Sequence, residues 1–262
     1  MSTDGDPFYT GELSVIGRVT TASNLTLVCD LDGVDARVVY KPVRGERPLW
    51  DFPDGTLAGR EVASYLVARA LGWPVIPETI LRDGPLGPGM VQRWVESVDS
   101  GRRGRLDLVD LVPIGAVPAG FREVLRAVDG TGEEVSLVHA DDPRLRRMAV
   151  LDVLLNNADR KGGHALEGID GGVYGVDHGI CLHSEPKLRT VLWGWAGEPI
   201  EDESLTDIAA LVKALPGEVG DGLAAHITDA EIEALGARGR QVLDDPVLPL
   251  PVSARPIPWP AF

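Results

Sequence analysis

The stretch from Met148 to His183 leaves this chain few choices of fold. Apolar residues Val150, Leu151, Leu154 and Leu155 recur at helical spacing, so Arg146 to Leu155 is expected to be a helix that stops at the Asn156-Asn157 pair. A loop follows, then two short apolar runs separated by Asp170-Gly171-Gly172, a turn sequence that closes a β-hairpin. A hairpin returns the chain to where it began. Asp177 should therefore come back beside Asp159 and His164. Two carboxylates and an imidazole in one place can position a divalent cation and accept a proton, which is what phosphoryl transfer asks of a protein.

The pattern Leu151-Asp152-x-x-x-x-Asn157-x-Asp159-Arg160, a short hairpin and then Asp177-x-Gly179 resembles the catalytic core of the phosphatidylinositol 3-/4-kinase-related group. Within that group it looks especially like the type II phosphatidylinositol 4-kinases, and it also resembles the HipA-type bacterial kinases and an uncharacterised actinobacterial family. That resemblance implies an α+β, bilobal, protein-kinase-like fold, with an antiparallel-sheet N-lobe over residues 1–95 and a mainly helical C-lobe over 96–262. It also implies ATP-dependent transfer of a phosphoryl group to a hydroxyl, with Mg or Mn as the divalent cation. Asp159 takes the catalytic place with Arg160 beside it, and Asp177 the metal-binding place. Five residues after Asp159 the family carries a metal-binding asparagine; this chain has His164. Imidazole suits Mn²⁺ better than Mg²⁺, so a preference for Mn²⁺ and a loss of metal on imidazole protonation are expected.

Upstream, Leu13 to Tyr40 reads as a three-stranded antiparallel sheet, with a polar loop at Arg18 to Asn24, a turn at Asp32-Gly33 and Lys41 at the end of the third strand. In kinases the loop between the first two strands covers the phosphates and the third-strand lysine anchors them. Thr21, Ser23 and Asn24 are the loop candidates here, although the usual Gly-x-Gly-x-x-Gly is absent. The apolar face of Leu57, Val62, Ala63, Leu66, Val67, Ala70 and Leu71 predicts a helix that ends at Gly72 and Pro74, with Glu61 placed to pair with Lys41. Pro77 to Arg82 and Met90 to Val95 read as strands. The second resembles a hinge strand through Gln92, Trp94 and Val95, although a strand tryptophan is more commonly core. Trp50 and Phe52 are expected packing anchors, Asp99 to Gly104 a lobe boundary, Phe121 to Val128 a short helix, and Lys187 to Trp195 a docked segment in the activation-segment position. Leu205 to Leu215 and Asp229 to Leu243 read as amphipathic helices, the second entered through a Thr228-x-x-Glu231 capping box. The proline-rich tail should lie extended on its own domain, held by Leu248, Leu250, Trp259 and Phe262.

Charge narrows the partners. With 25 Lys and Arg against 40 Asp and Glu, the net charge of −15 disfavours nucleic acid and an anionic membrane, both of which need a cationic face. No apolar run reaches the length of a membrane span. The first residues lack secretory character, and Cys29 and Cys181 have no metal-ligand spacing, so free thiols in a cytoplasmic protein are expected. The expected partners are a nucleotide and a hydroxyl-bearing protein or small molecule. Three other functions compete. One is a pseudokinase that only holds nucleotide, suggested by His164, by His178 and by the missing glycines. The second is transfer of AMP by the same site, and the third a metal-dependent hydrolase using His164, Asp177, His178 and His183. Adjacent strand-end residues such as Asp177 and His178 should point apart, which suits a shared metal poorly.

Overall fold

The computed structural model describes residues 5–20, 22–98 and 105–262. Thr21 and the expected boundary at 99–104 lie outside the described residues.

Five strands form the first sheet: β1 (Leu13–Arg18), β2 (Leu27–Leu31), β3 (Arg37–Pro42), β4 (Thr79–Gly84) and β5 (Gly87–Arg93). They run antiparallel in the order β1-β2-β3-β5-β4. Alternation along β3 sends Val38 and Tyr40 into an outer core with Phe8, Leu13, Cys29, Leu31 and Val91. Lys41 is thereby sent to the opposite face. Its cross-strand partner Met90 packs there against Ala58 and Val62 of helix α2 (Leu57–Ala70). The register of the sheet thus aims Lys41 at α2.

Helix α2 begins where the sequence says it should. Thr56 Oγ1 accepts from Gly59 N at 2.9 Å, while the Glu46 carboxylate accepts from Leu57 N and Ala58 N at 3.0 and 2.8 Å. Both meet orphan donors at the positive end of the helix dipole. The helix ends before Gly72, whose φ of +71° is the left-handed conformation glycine adopts without strain. Its other face, Ala63, Val67, Ala68 and Leu71, belongs to the large core of the C-terminal part. Arg60, 1% exposed, pairs with Glu231 at 2.6 Å and donates to the Cys181 and Asp54 carbonyls, so α2 is fastened to the helices below it.

Below α2 lie α3 (Pro143–Leu155), the hairpin of β9 (Ala165–Glu167) and β10 (Val173–Gly175), and helices α4 (Asp202–Ala214), α5 (Glu218–Ala224) and α6 (Asp229–Asp244). The capping box at Thr228 and Glu231 is present in full. A second sheet, β6 (Val109–Pro113), β7 (Phe121–Val128) and β8 (Glu134–Ala140) in the order β6-β8-β7, corrects one expectation. Phe121–Val128 is a strand, not a helix. Its Phe-x-x-Val-Leu-x-x-Val spacing suits a helix, but Asp129 Oδ1 accepts from Thr131 N and Glu133 N, closing a hairpin that pairs β7 with β8.

The tail docks as expected, with fewer anchors. Leu248 is buried and Pro256 O accepts from Thr190 N and Trp193 Nε1, but Leu250 and Trp259 are 65% and 90% exposed. Trp195 is fully buried, so the segment before it is docked, whereas Trp50 is 92% exposed and only Phe52 anchors its loop. Both cysteines are free and buried. No described helix is long and apolar enough to cross a membrane.

Candidate active site

The cleft between the first sheet and the hairpin gathers residues that are far apart in sequence. Lys41 Nζ lies 2.6 Å from Glu61 Oε1 and 2.6 Å from Asp177 Oδ1. Glu61 is 2% exposed, and its second oxygen accepts from His178 N at 2.8 Å, tying α2 to the strand that delivers Asp177. Burial alone would lower the Lys41 pKa, but the two carboxylates outweigh it and hold the ammonium charged. Asp177 is held well below the usual carboxylate range, chiefly by Lys41. Its φ of +63° is unusual for a residue with a side chain, and its side chain remains 47% exposed. An ionised carboxylate is thus presented to a narrow cleft of about 40 Å³.

His164 stands beside it, with Nε2 3.4 Å from Asp177 Oδ2. Nδ1 lies 2.9 Å from the Asp159 carbonyl oxygen, which can only accept, so Nδ1 carries the proton and Nε2 keeps a lone pair facing Asp177. Burial pushes its pKa down to about 4, so the ring is neutral at pH 7. The chemistry of this donor set fits a divalent cation. Among the described residues no cluster of three or more ligating side chains occurs.

Asp159 is set by the loop after α3. Asn156 ends the helix with φ +51°, donates from Nδ2 to the His183 and Glu185 carbonyls, and accepts from Lys187 N. Asn157 Oδ1 accepts from Asp159 N and its Nδ2 donates to Asp152. The two asparagines therefore pin the loop to its surroundings. Burial raises the Asp159 pKa, with Asp177 adding to the rise and Lys161, 3.5 Å away, opposing it.

Arg160 does not face the cleft. It is fully buried, bound to both Asp152 oxygens at 2.9–3.2 Å, and donates to the His164 and Val176 carbonyls and to His178 Nε2 at 2.7 Å. Its place corrects the catalytic assignment: an arginine with no exposed surface holds the loop and cannot touch a substrate. His178, also buried, turns toward Arg160 while Asp177 turns toward Lys41, and His183 packs on Phe52, so the histidines do not converge on one metal.

Ser23 and Asn24 line the cleft with Lys41, Glu61, Asp159 and Asp177. Asn24 Oδ1 accepts from Arg47 N, strapping the loop down without glycines. The hinge candidates are placed otherwise. Gln92 is buried with its amide donating to Thr79 Oγ1, and Trp94 and Val95 line a separate cavity of about 650 Å³ together with Tyr65, Trp73 and Tyr174. No side chain of the three lines the cleft around Lys41.

Two residues were missed. Asp152, inside the quoted motif, is the buried counter-charge on which Arg160 depends. Lys161 sits beside Asp159, and the signal for it was the scarcity of lysine.

No family model matches the chain. Over 258 residues it is 60% identical to "Protein Rv2133c" of Mycobacterium tuberculosis, covering 96% of this chain and 93% of that protein. The chain belongs to that protein's family. Among solved structures it is similar to the Golgi casein kinase, at a TM-score of 0.51 and 13% identity, over 90% of this chain and 72% of the other. A second similar structure is the Helicobacter pylori proinflammatory kinase CtkA, at a TM-score of 0.47 and 12% identity, over 92% and 94% of the two chains. The likeness to the Golgi casein kinase, together with the sheet and helices described above, gives this chain a kinase-like, bilobal α+β fold.

Proposed function

We propose that this chain is an ATP-dependent phosphotransferase of the atypical kinase type, with an N-lobe over 1–95 and a C-lobe over 96–262. The observation that carries the reading is Lys41 held at 2.6 Å by both Glu61 and Asp177. A kinase needs its strand lysine, helix glutamate and metal-binding aspartate brought together in this way. The likeness in fold to the Golgi casein kinase supports the same reading. The motif order keeps the phosphatidylinositol 3-/4-kinase and HipA groups as the narrower affinity.

Lys41 would meet phosphate charge, with Glu61 fixing its ammonium. Asp177 and His164 would hold Mg²⁺ or Mn²⁺, which when bound neutralises charge on the phosphates. Ser23 and Asn24 would offer donors from the loop. Asp159 would orient the acceptor hydroxyl and take its proton; its raised pKa makes it a better base than a solvated aspartate. Arg160, through Asp152 and the His164 carbonyl, keeps Asp159 and His164 in register.

The second reading, a nucleotide-binding pseudokinase, is favoured by His164 at the asparagine position. Pure protein incubated with γ-labelled ATP and Mg²⁺ or Mn²⁺, alone and with host lysate, separates the two. Phosphotransfer moves label in wild type and not in Asp159→Asn. A pseudokinase binds nucleotide and moves none in either.

A further inference from the structure

The chain has only four lysines, and three of them, Lys41, Lys161 and Lys187, lie around the cleft. Lys41 is explained by its two carboxylates. The other two are paired more loosely. The Lys161 side chain is 21% exposed, and its nearest acid, Asp159, is 3.5 Å away, at the outer limit of a hydrogen bond. The Lys187 side chain is 14% exposed; its carboxylates, Asp51 and Glu185, lie 3.7 and 4.0 Å away, and its ammonium stands 5.6 Å from the centre of the Phe52 ring. Neither ammonium is among the buried nitrogens left without a partner, so both reach solvent and keep donors available, whereas Lys41 commits its donors to two contacts at 2.6 Å.

Arg189 joins them. Its side chain is half-buried and makes no ion pair or hydrogen bond among the described residues, yet its backbone is fixed. Arg189 N donates to Asn157 O at 2.8 Å and Arg160 N donates to Arg189 O at 3.1 Å, so the 187–189 segment runs beside the loop that carries Asp159. Asn156 holds the same segment through Lys187 N. Three cations with solvent-accessible donors are thereby built into the flank of Asp159, on a protein whose net charge is −15.

We infer that this flank receives an anionic group of the acceptor: a soluble, hydroxyl-bearing molecule that carries a phosphate or carboxylate, bound by Lys161, Lys187 and Arg189. The inference rests on the phosphotransferase reading. A membrane surface fits poorly, because the acidic remainder of the chain would be repelled from anionic lipid. A phosphate or carboxylate on a single soluble molecule needs only the local patch, and a charge-assisted contact made there positions the hydroxyl as well as binding it.

The test is calorimetric and uses the full chain. Wild type, Arg189→Glu and Arg189→Gln are titrated at low salt with glycerol 3-phosphate, with a serine peptide flanked by glutamates, and with the same peptide flanked by arginines; ATP affinity is measured on the same preparations. At least one anionic probe should bind wild type, weaken about tenfold or more in Arg189→Glu and less in Arg189→Gln, and weaken with added salt, while the arginine peptide does not bind. Which anionic probe binds tells a phosphate monoester from an acidic peptide. ATP affinity should be the same in all three proteins. If neither anionic probe binds wild type, or if the variants bind them equally well, the anionic-acceptor inference is overturned even with ATP binding intact. Anion binding without ATP binding would instead overturn the phosphotransferase reading and leave the anion site standing.

Discussion

Two ionic clusters lie on either side of the Asp159–His164 loop, and they differ in what their charges are left to do. In the cluster below, Asp152 and Arg160 are both fully buried, and Asp152 also accepts from Asn157 and Thr190. The guanidinium spends its remaining donors on two carbonyls and on His178. In the cluster above, Asp177 is half-exposed, His164 offers a lone pair, and Asp159 has no cation closer than 3.5 Å. The first is closed to any ligand; the second has acceptors to spare. Sequence motifs alone cannot make that distinction, because Asp159 and Arg160 are neighbours in the chain and face opposite ways.

The largest expected effects come from removing one acid from each cluster. Asp152→Ala strands a buried guanidinium and should cost about 3–5 kcal/mol of stability, a large share of a typical domain's total, read as a fall in denaturant midpoint. Asp159→Asn should leave that midpoint unchanged and lower phosphoryl transfer by about 10²–10⁴-fold with nucleotide affinity intact. If Asp159→Asn unfolded the protein, or Asp152→Ala spared stability while killing transfer, the two clusters would have to exchange roles.

Lys41→Met sharpens the comparison from inside the upper cluster. Loss of a charged donor should weaken nucleotide binding by about ten- to a hundredfold, measured by calorimetry. It also leaves Glu61 buried without its cation, so a modest fall in stability is expected, and Lys41→Met with Glu61→Gln should recover that stability and not the affinity. Equal ATP affinity in wild type and Lys41→Met would remove Lys41 from the site.

What could be read from the sequence follows from how local each signal was. The β9–β10 hairpin and the capping box depend on turn chemistry and on helix entry, which are written in short windows, whereas the Lys41–Glu61 pair is legible only through the kinase-like order of strand lysine and helix glutamate. Strand β7 was misread because its spacing is helical and its partner lies across a turn that the spacing does not show. Arg160, Lys187 and Arg189 were beyond reach for another reason. Their surroundings are set by the bridge between Arg160 and Thr190, thirty positions apart in the chain, and no periodicity encodes it. Gln92 shows the same limit: a hinge-like order of residues could not reveal that Thr79 takes its amide.

A smaller effect concerns metal choice. Imidazole nitrogen favours Mn²⁺ over Mg²⁺, which prefers oxygen, so His164→Asn should move nucleotide binding toward Mg²⁺ by a few-fold in the ratio of the two affinities. Indistinguishable Mn²⁺-to-Mg²⁺ ratios in the two proteins would take His164 out of the metal site and strengthen the pseudokinase reading.

The smallest effect is in acid, and here the geometry changes what the sequence suggested. An ordinary histidine, titrating near 6.5, would release its metal as the pH fell through that value. His164 is instead pushed down to about 4 by burial, with Arg160, Lys161 and Lys41 adding to the depression and Asp177 opposing it. Metal-dependent nucleotide binding by folded protein should therefore show no histidine-like step between pH 8 and 5. Stability behaves differently. Because the unfolded chain takes up the proton near 6.5 and the folded one only near 4, the stabilisation is fully present above the unfolded value and drains away as the pH falls between the two. From pH 7 to 5 the His164 share is about 2 kcal/mol, and His164→Asn should lose correspondingly less stability than wild type over that range. His139, buried on Trp195 and also depressed to about 4, makes the control: it lies outside the cleft, so replacing it should flatten the same stability profile and leave metal preference alone. A binding step centred near 6.5 in wild type would mean that burial does not keep His164 neutral, or that His164 does not hold the metal.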